Sequence, residues 1–279
     1  MSSLELAETS VRDGDPEGAL KQLTAAVKTS PADAKLRVFL FQLLCVLGKW
    51  DRALTQLELC AEMDASALAM REMYREAIGC ERLRDEVFAG RKSPMLFGEP
   101  EGWIALLIES LMRGGRGEAA EAARLREQAF ADAPATSGTA DDKAFEWIAD
   151  ADMRLGPVLE AIVNGRYYWV PFSRLLQVNI EAPSDLRDFI WAPAQLQFVN
   201  GGETIALIPS RYPGSAACTD GLVALARKTV WDEPQPGVYF GQGQRVFATD
   251  VADFDMLAVR CITPVSYTHL RAHETDSYL

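Results

Sequence analysis

Histidine is nearly missing from this chain: its 279 residues include only two, His269 and His273, both close to the C-terminal end. Without them no Ser-His-Asp or Cys-His arrangement can be assembled, and a zinc site built on histidine is excluded. Cysteine is scarce as well, with Cys45, Cys60, Cys80, Cys218 and Cys261 forming no C-x-x-C pair and leaving an odd number. That pattern argues against a disulfide or zinc framework, and Cys45 and Cys60 read as small apolar residues in helix packing. No apolar run approaches the roughly 20 residues that cross a bilayer, and Glu5 and Glu8 stand where a signal peptide would carry a basic start and an apolar core. Basic charge is in short supply too: 28 Lys and Arg against 40 Asp and Glu give a net charge of −12. Nucleic acid and anionic membrane surfaces are therefore disfavoured, and neutral, apolar or basic protein segments favoured as partners. There is no G-x-x-x-x-G-K-S/T sequence, which removes an ATPase of that type. The expectation is a cytoplasmic protein without cofactor or metal.

What is present is a repeat. Gly14, Ala19, Ala26 and Pro31 recur 34 residues later as Gly48, Ala53, Cys60 and Ala65, and again as Gly117, Ala122, Ala129 and Pro134. A 34-residue unit of two helices is a tetratricopeptide-like scaffold that displays a surface to another protein and carries no chemistry of its own. Helices are predicted over Leu4 to Arg12, Pro16 to Lys28 and Ala34 to Leu47, with Asp13-Gly14-Asp15-Pro16 and Gly48-Lys49-Trp50-Asp51 as turns. A third unit, Ser66 to Lys92, keeps helical periodicity but loses the glycine register; Trp103 to Met112 and Gly117 to Ala131 restore the hairpin. On the inner helix face of the first two units, Glu8, Arg12, Val38 and Gln42 would point toward a ligand.

The second half changes period. Lys143 to Leu155 reads as a helix broken at Gly156-Pro157, with a short helical successor ending at Asn164-Gly165. From Tyr167 onward the pattern alternates, giving strands at Tyr167 to Val170, Leu175 to Ile180, Trp191 to Val199 and Thr204 to Ile208. Further strands follow at Thr229 to Trp231, Val238 to Phe240, Arg245 to Ala248 and Met256 to Ile262, with a short helix near Gly221 to Arg227. The fold class is α+β in two domains: helical repeats over 1–133, a linker over 134–142, and over 143–263 a strand-rich domain, either a partly open barrel or a curled antiparallel sheet. Residues 264–279 lose all periodicity and look like translated sequencing-adapter sequence, so they are set aside as a tail foreign to the fold.

Few residues offer chemistry. Glu146, Asp150 and Asp152 are the acidic group able to meet a divalent cation or act as paired carboxylates. Against that, Arg154 stands four residues beyond Asp150, the spacing of a helical ion pair, and Asp152 with Arg154 is expected to pin the Gly156-Pro157 break. Gly241-Gln242-Gly243-Gln244-Arg245 lacks the third glycine and the following helix of a nucleotide site, and reads as a turn between strands. Arg187, Trp191, Arg211 and Tyr212 set guanidinium groups against aromatics, either as interface anchors or as stacked core edges.

Motifs in order carry a family resemblance. Asp150-x-Asp152-x-Arg154-Leu155-Gly156-Pro157-Val158-Leu159-Glu160, Gly165-x-Tyr167-x-Trp169-x-Pro171, Leu186-Arg187-Asp188-x-x-Trp191, Arg211-Tyr212-Pro213-Gly214-Ser215 and Thr229-x-Trp231 together resemble the ImpE family, also called TagJ or SciE. These are accessory proteins of bacterial type VI secretion. The resemblance implies a non-enzymatic adaptor that associates with the small sheath subunit, through a helix at that subunit's N-terminus, and with the ClpV AAA+ ATPase that disassembles contracted sheath. A general repeat-type co-chaperone and a metal-dependent hydrolase using Asp150 and Asp152 are the competing readings.

Overall fold

In the computed structural model residues 3–265 are described. Two antiparallel helix hairpins come first, α1 (Ser3–Arg12) with α2 (Pro16–Thr29) and α3 (Ala34–Val46) with α4 (Trp50–Met63). Asp15 and Asp33 cap α2 and α3, each carboxylate accepting from backbone N–H groups of the first turn. The turns use Gly14, Gly48 and Gly117 at φ of +83°, +62° and +80°, a region that residues with a Cβ avoid. The repeated small residues are what lets the helices approach: Ala19, Ala53 and Ala122, and likewise Ala26, Cys60 and Ala129, are all buried.

The third unit is a single helix of 21 residues, α5 (Leu68–Phe88). After it come a two-residue strand, β1 (Met95–Leu96), and a last hairpin, α6 (Gly102–Gly115) and α7 (Ala119–Asp132).

The strand-rich half holds β2 (Gly138–Ala140), β3 (Lys143–Phe145), β4 (Ile148–Asp150), β5 (Val158–Val163), β6 (Arg166–Pro171), β7 (Leu175–Ile180), β8 (Trp191–Phe198) and β9 (Glu203–Pro209). The short helix α8 (Gly221–Ala224) leads into β10 (Thr229–Gln235), β11 (Val238–Gly243), β12 (Val246–Thr249), β13 (Asp253–Asp255) and β14 (Cys261–Pro264). Nine strands form a sheet in the order β1-β6-β5-β9-β8-β7-β14-β2-β3; β13-β12-β4 and β10-β11 make two smaller ones. β1 joins β6 in parallel and the other pairs are antiparallel. The sheets are open, and no closed barrel forms among the described residues.

Lys143 to Leu155 is therefore not a helix, and Asn164 closes no helical turn. β3 and β4 are strands of three residues, too short to show a period, and β5 is buried on both faces. Met256 to Ile262 is likewise not one strand: β13 ends before it, and of its residues only Cys261 and Ile262 pair, as the start of β14. Gly138–Ala140, inside the stretch expected to link the halves, pairs with β14 and β3. Pro264 and Val265, counted with the tail, continue that pairing: Pro264 lies opposite Gly138, and the Val265 N–H donates to Ser137 O at 2.7 Å. The rest of the tail, with His269 and His273, lies outside the described residues.

Because side chains alternate along β5, Val158, Glu160 and Ile162 face the helices while Leu159, Ala161 and Val163 face β12 and its neighbours. The first set joins Leu43, Leu57, Tyr74, Ile78, Trp169 and Trp191 in a core that runs from α1 to β9. The second set joins Phe172, Leu196, Phe247, Met256 and Ile262 in another core. Helices and sheet thus share one hydrophobic core on the part of the sheet formed by β5, β6, β8 and β9.

Candidate partner-binding site

Burial separates the expected site residues into two kinds. Glu8 is exposed on α1 and Val38 half-buried on α3, and both border a groove of about 500 Å³ whose other walls are Leu4, Ala34, Lys35, Phe39, Gln42 and Leu186. Its volume falls within the range of ligand sites, about 300–1,000 Å³. The floor is apolar (Leu4, Val38, Phe39, Leu186), with one acid and one base, Glu8 and Lys35, at exposed positions. Gln42 is buried, and its Nε2 donates to Asp185 Oδ1 at 3.1 Å, so it ties α3 to the 3-10 turn Leu186–Phe189. Asp185 and Asp188 hold that turn as a capping box, which sets Leu186 against α3. Arg12 is exposed at the end of α1 and does not line the groove; its carbonyl accepts from Arg227 Nη1 at 3.0 Å.

Arg187, Trp191, Arg211 and Tyr212 face this chain's own helices and loops. Trp191 is 0 % exposed, with its ring 5.6 Å from that of Tyr74 and its Nε1 donating to Glu81 Oε1 at 2.9 Å. The Arg187 guanidinium lies 4.9 Å from the centroid of the Tyr74 ring and pairs with Asp185 at 2.7 Å. Buried Arg211 donates to the carbonyls of Val46 (2.7 Å) and Cys45 (3.4 Å) at the end of α3, and to that of Ala224 at the end of α8. It satisfies orphan helix carbonyls and places a cation at their negative end. The Tyr212 hydroxyl accepts from the Val246 N–H at 3.0 Å, and Ser215 Oγ accepts from the Gly243 N–H at 2.8 Å, so the Arg-Tyr-Pro-Gly-Ser segment is knotted to β11 and β12. Trp191, Arg211 and Tyr212 are buried and the Arg187 side chain is 23 % exposed, and the contacts they make are internal to the chain.

Between the layers lies a charged network barely visible in the sequence. Arg84 on α5 meets Glu160 on β5 through two bonds, Nε to Oε1 at 2.6 Å and Nη2 to Oε2 at 2.8 Å, and donates to Arg211 O at 2.7 Å. Arg245 Nη1 reaches Glu160 Oε2 at 3.2 Å, while its Nε and Nη2 hold Asp150 Oδ2 at 2.8 and 2.6 Å. The Tyr167 hydroxyl donates to Glu160 and in turn accepts from Trp169 Nε1 at 2.7 Å. Burial by itself would raise the Glu160 carboxyl, but Arg84 and Arg245 outweigh it and hold it below its ordinary value. Burial pushes Arg211 down to about 10, against the pull of Glu81. An exposed pair such as Lys49 with Glu17 contributes about 0–1 kcal/mol, whereas removing one partner of a buried pair costs about 3–5 kcal/mol. The only sequence signal for the network was Glu160 itself, an acid within the apolar run Val158-Leu159-Glu160-Ala161-Ile162-Val163.

This network also takes up the acidic group considered for metal or acid-base work. Glu146 is exposed in the turn between β3 and β4, away from the buried pair Asp150 and Asp152. Asp152 binds Arg154 (Nε to Oδ1, 2.9 Å) and accepts from the Gly241 N–H at 2.8 Å, so Arg154 serves Asp152 and not Asp150. The Asp152 carbonyl accepts from the N–H groups of Leu155 and Gly156 at 2.9 and 3.1 Å, closing the turn before Pro157. Among the described residues no cluster of three His, Cys, Asp or Glu side chains has metal-ligating geometry. Gly241 and Gly243 belong to β11, and the chain passes from there directly into β12.

Comparison with known proteins bears on both halves. Residues 142–263 match the family model described as ImpE protein, and residues 10–70 match a tetratricopeptide-repeat model. The type VI secretion system accessory component TagJ of Pseudomonas aeruginosa is 50% identical over 257 residues, 91% of this chain and 89% of that protein. The crystal structure of protein VPA1032 from Vibrio parahaemolyticus superposes with a TM-score of 0.87, covering 95% of this chain and 99% of that one at 23% identity, a likeness of fold. No helix among the described residues is long and apolar enough to cross a membrane.

Proposed function

The chain belongs to the ImpE family, and on that premise we propose that it is a cytoplasmic, non-enzymatic adaptor of type VI secretion. In this reading the groove between α1, α3 and Leu186 holds the N-terminal helix of the small sheath subunit, and the same chain engages the ClpV ATPase so that sheath disassembly is modulated. The observation that carries it is the groove's composition: an apolar floor of Leu4, Val38, Phe39 and Leu186 beside Glu8 and Lys35. Such a floor takes the i, i+3, i+4 and i+7 side chains of an amphipathic helix, and Glu8 favours a basic residue at its edge. Residues 1–133 supply most of the scaffold, and 143–263 contribute Leu186 to the groove. A non-enzymatic role is supported by the guanidinium groups that occupy the Asp150 and Asp152 carboxylates.

Fluorescence anisotropy with a labelled peptide of the sheath subunit's N-terminal helix tests the reading. Val38→Asp places a charge on the groove floor and should weaken binding by about tenfold or more, in line with the cost of about 1–3 kcal/mol for burying an unpaired polar group. Unchanged affinity would remove the groove from the proposal. Equal affinity for unrelated amphipathic helices would favour the general co-chaperone.

A further inference from the structure

Three arginines and two phenylalanines form a ladder on the helical side of the sheet. The Arg84 guanidinium lies 5.4 Å from the Phe88 ring centroid; Arg154 lies 5.2 Å from Phe88 and 4.7 Å from Phe240; Arg126, on α7, lies 5.5 Å from Phe240. The first two cations have counter-ions, Glu160 for Arg84 and Asp152 for Arg154. Arg126 has none. It is 6 % exposed, yet its guanidinium makes no hydrogen bond and no ion pair with any described residue. Asp152 is near enough to favour its charge, but that carboxylate is already committed to Arg154 and to the Gly241 N–H. Burial and the neighbouring Arg154 both act against the Arg126 cation. The Arg126 nitrogens open only into the pocket beside them, and a guanidinium largely withdrawn from bulk water, with five donors and no acceptor of its own, is matched by an anion there.

The space for one is present. Arg126 and Arg154 line a pocket of about 300 Å³ between α6, α7 and the β10-β11 ribbon, with Phe88, Leu111, Val238 and Phe240 as apolar walls. Gly114, Gly115 and Ala119 are exposed lining residues, so the pocket reaches solvent. The Ser110 hydroxyl at its wall is already donated to Ala122 O at 2.6 Å. None of these residues borders the groove of the proposed adaptor site.

We propose that this pocket is a binding site for a monocarboxylate with an apolar body, the carboxylate paired with Arg126 and the body seated against Phe88, Leu111, Val238 and Phe240. One uncommitted cation calls for one negative charge; a phosphate dianion would leave a second charge buried without a partner. The planar guanidinium matches a carboxylate through two parallel hydrogen bonds. The carboxylate has two possible sources, a free organic acid or an acidic side chain beside an aromatic residue in a peptide.

The test is calorimetric titration of the full chain with phenylacetate, phenylacetamide, inorganic phosphate and the blocked dipeptide acetyl-Phe-Glu-amide, whose only carboxylate is a side chain. Saturable phenylacetate binding is expected, with phenylacetamide weaker by about ten- to a hundredfold, the range for losing a charge-assisted hydrogen bond. Arg126→Met should show the same loss. Tighter binding of the dipeptide than of phenylacetate identifies a peptide source, and the reverse order a free acid; either supports the site. Equal affinity for phenylacetamide, phosphate binding as strong as that of phenylacetate, or no saturable binding of either carboxylate at millimolar concentration overturns it. If Arg126→Met does not fold, the acid-against-amide comparison on the unaltered chain decides alone.

Discussion

Glu160 is the residue on which Arg84 of α5, Arg245 and Tyr167 converge between helices and sheet. Replacing it with Gln leaves Arg84 and Arg245 facing a neutral amide in a buried site, and Glu160→Gln is expected to cost about 3–5 kcal/mol by urea unfolding at neutral pH. The pH dependence follows from the direction of its shift. A carboxyl held below its ordinary value in the folded chain contributes stability above that value and loses it as pH falls through the folded one. The gap between the unaltered chain and Glu160→Gln should therefore be widest at neutral pH and close progressively below pH 4.5, the ordinary value of the side chain. A gap independent of pH would mean that the carboxylate charge does not matter. Little of this was legible in the sequence. Arg84, Glu160 and Arg245 lie far apart in the chain, and only the burial created by the fold turns ordinary charged residues into a network.

At the scale of elements, the helices were readable and the first strands were not. Ala19, Ala26, Ala53 and Cys60 announce their positions through period and spacing, and each is buried where two helices touch. β3 and β4 are too short to alternate, and β5 is an apolar run that a buried helix would equally display. The repeat glycines can be told apart by their neighbours. A Cβ on Gly117 would meet nothing within 4 Å, whereas one on Gly48 would sit 2.9 Å from the Cβ of Ala216, an atom fixed to its own backbone. Both positions have positive φ, so Gly117→Ala should lose about 1–2 kcal/mol from backbone strain alone. Gly48→Ala should lose measurably more, because Ala216 must retreat as well. Chemical denaturation of the two variants side by side checks the order. The groove was legible in part: Glu8 and Val38 were found from the repeat, while Leu186 was not, since it reaches the groove from the other half of the chain.

For the whole molecule, the decisive fact is that α1 through α6 contribute buried residues to one continuous cluster with residues of β5, β6, β8 and β9. A helical half cut from this sheet would expose Leu43, Leu57, Tyr74 and Ile78, and small domains have little stability to spare. Heat should therefore unfold both halves together. Far-UV circular dichroism, which follows the helices, and the fluorescence of a Trp50→Phe, Trp103→Phe variant, whose remaining tryptophans, fully buried Trp169 and Trp191 among them, lie in the strand-rich half, are expected to give one coincident midpoint. Two separated midpoints would show that the halves are independent units.

The hydrogen bond from Gln42 to Asp185 also gives the groove a mechanical connection. Asp185 opens the turn Leu186–Phe189, and that turn runs through Ile190 straight into β8, an interior strand of the nine-stranded sheet. A tug on anything seated between α1 and α3 is therefore borne by the interior of the sheet and not by a loop at its edge.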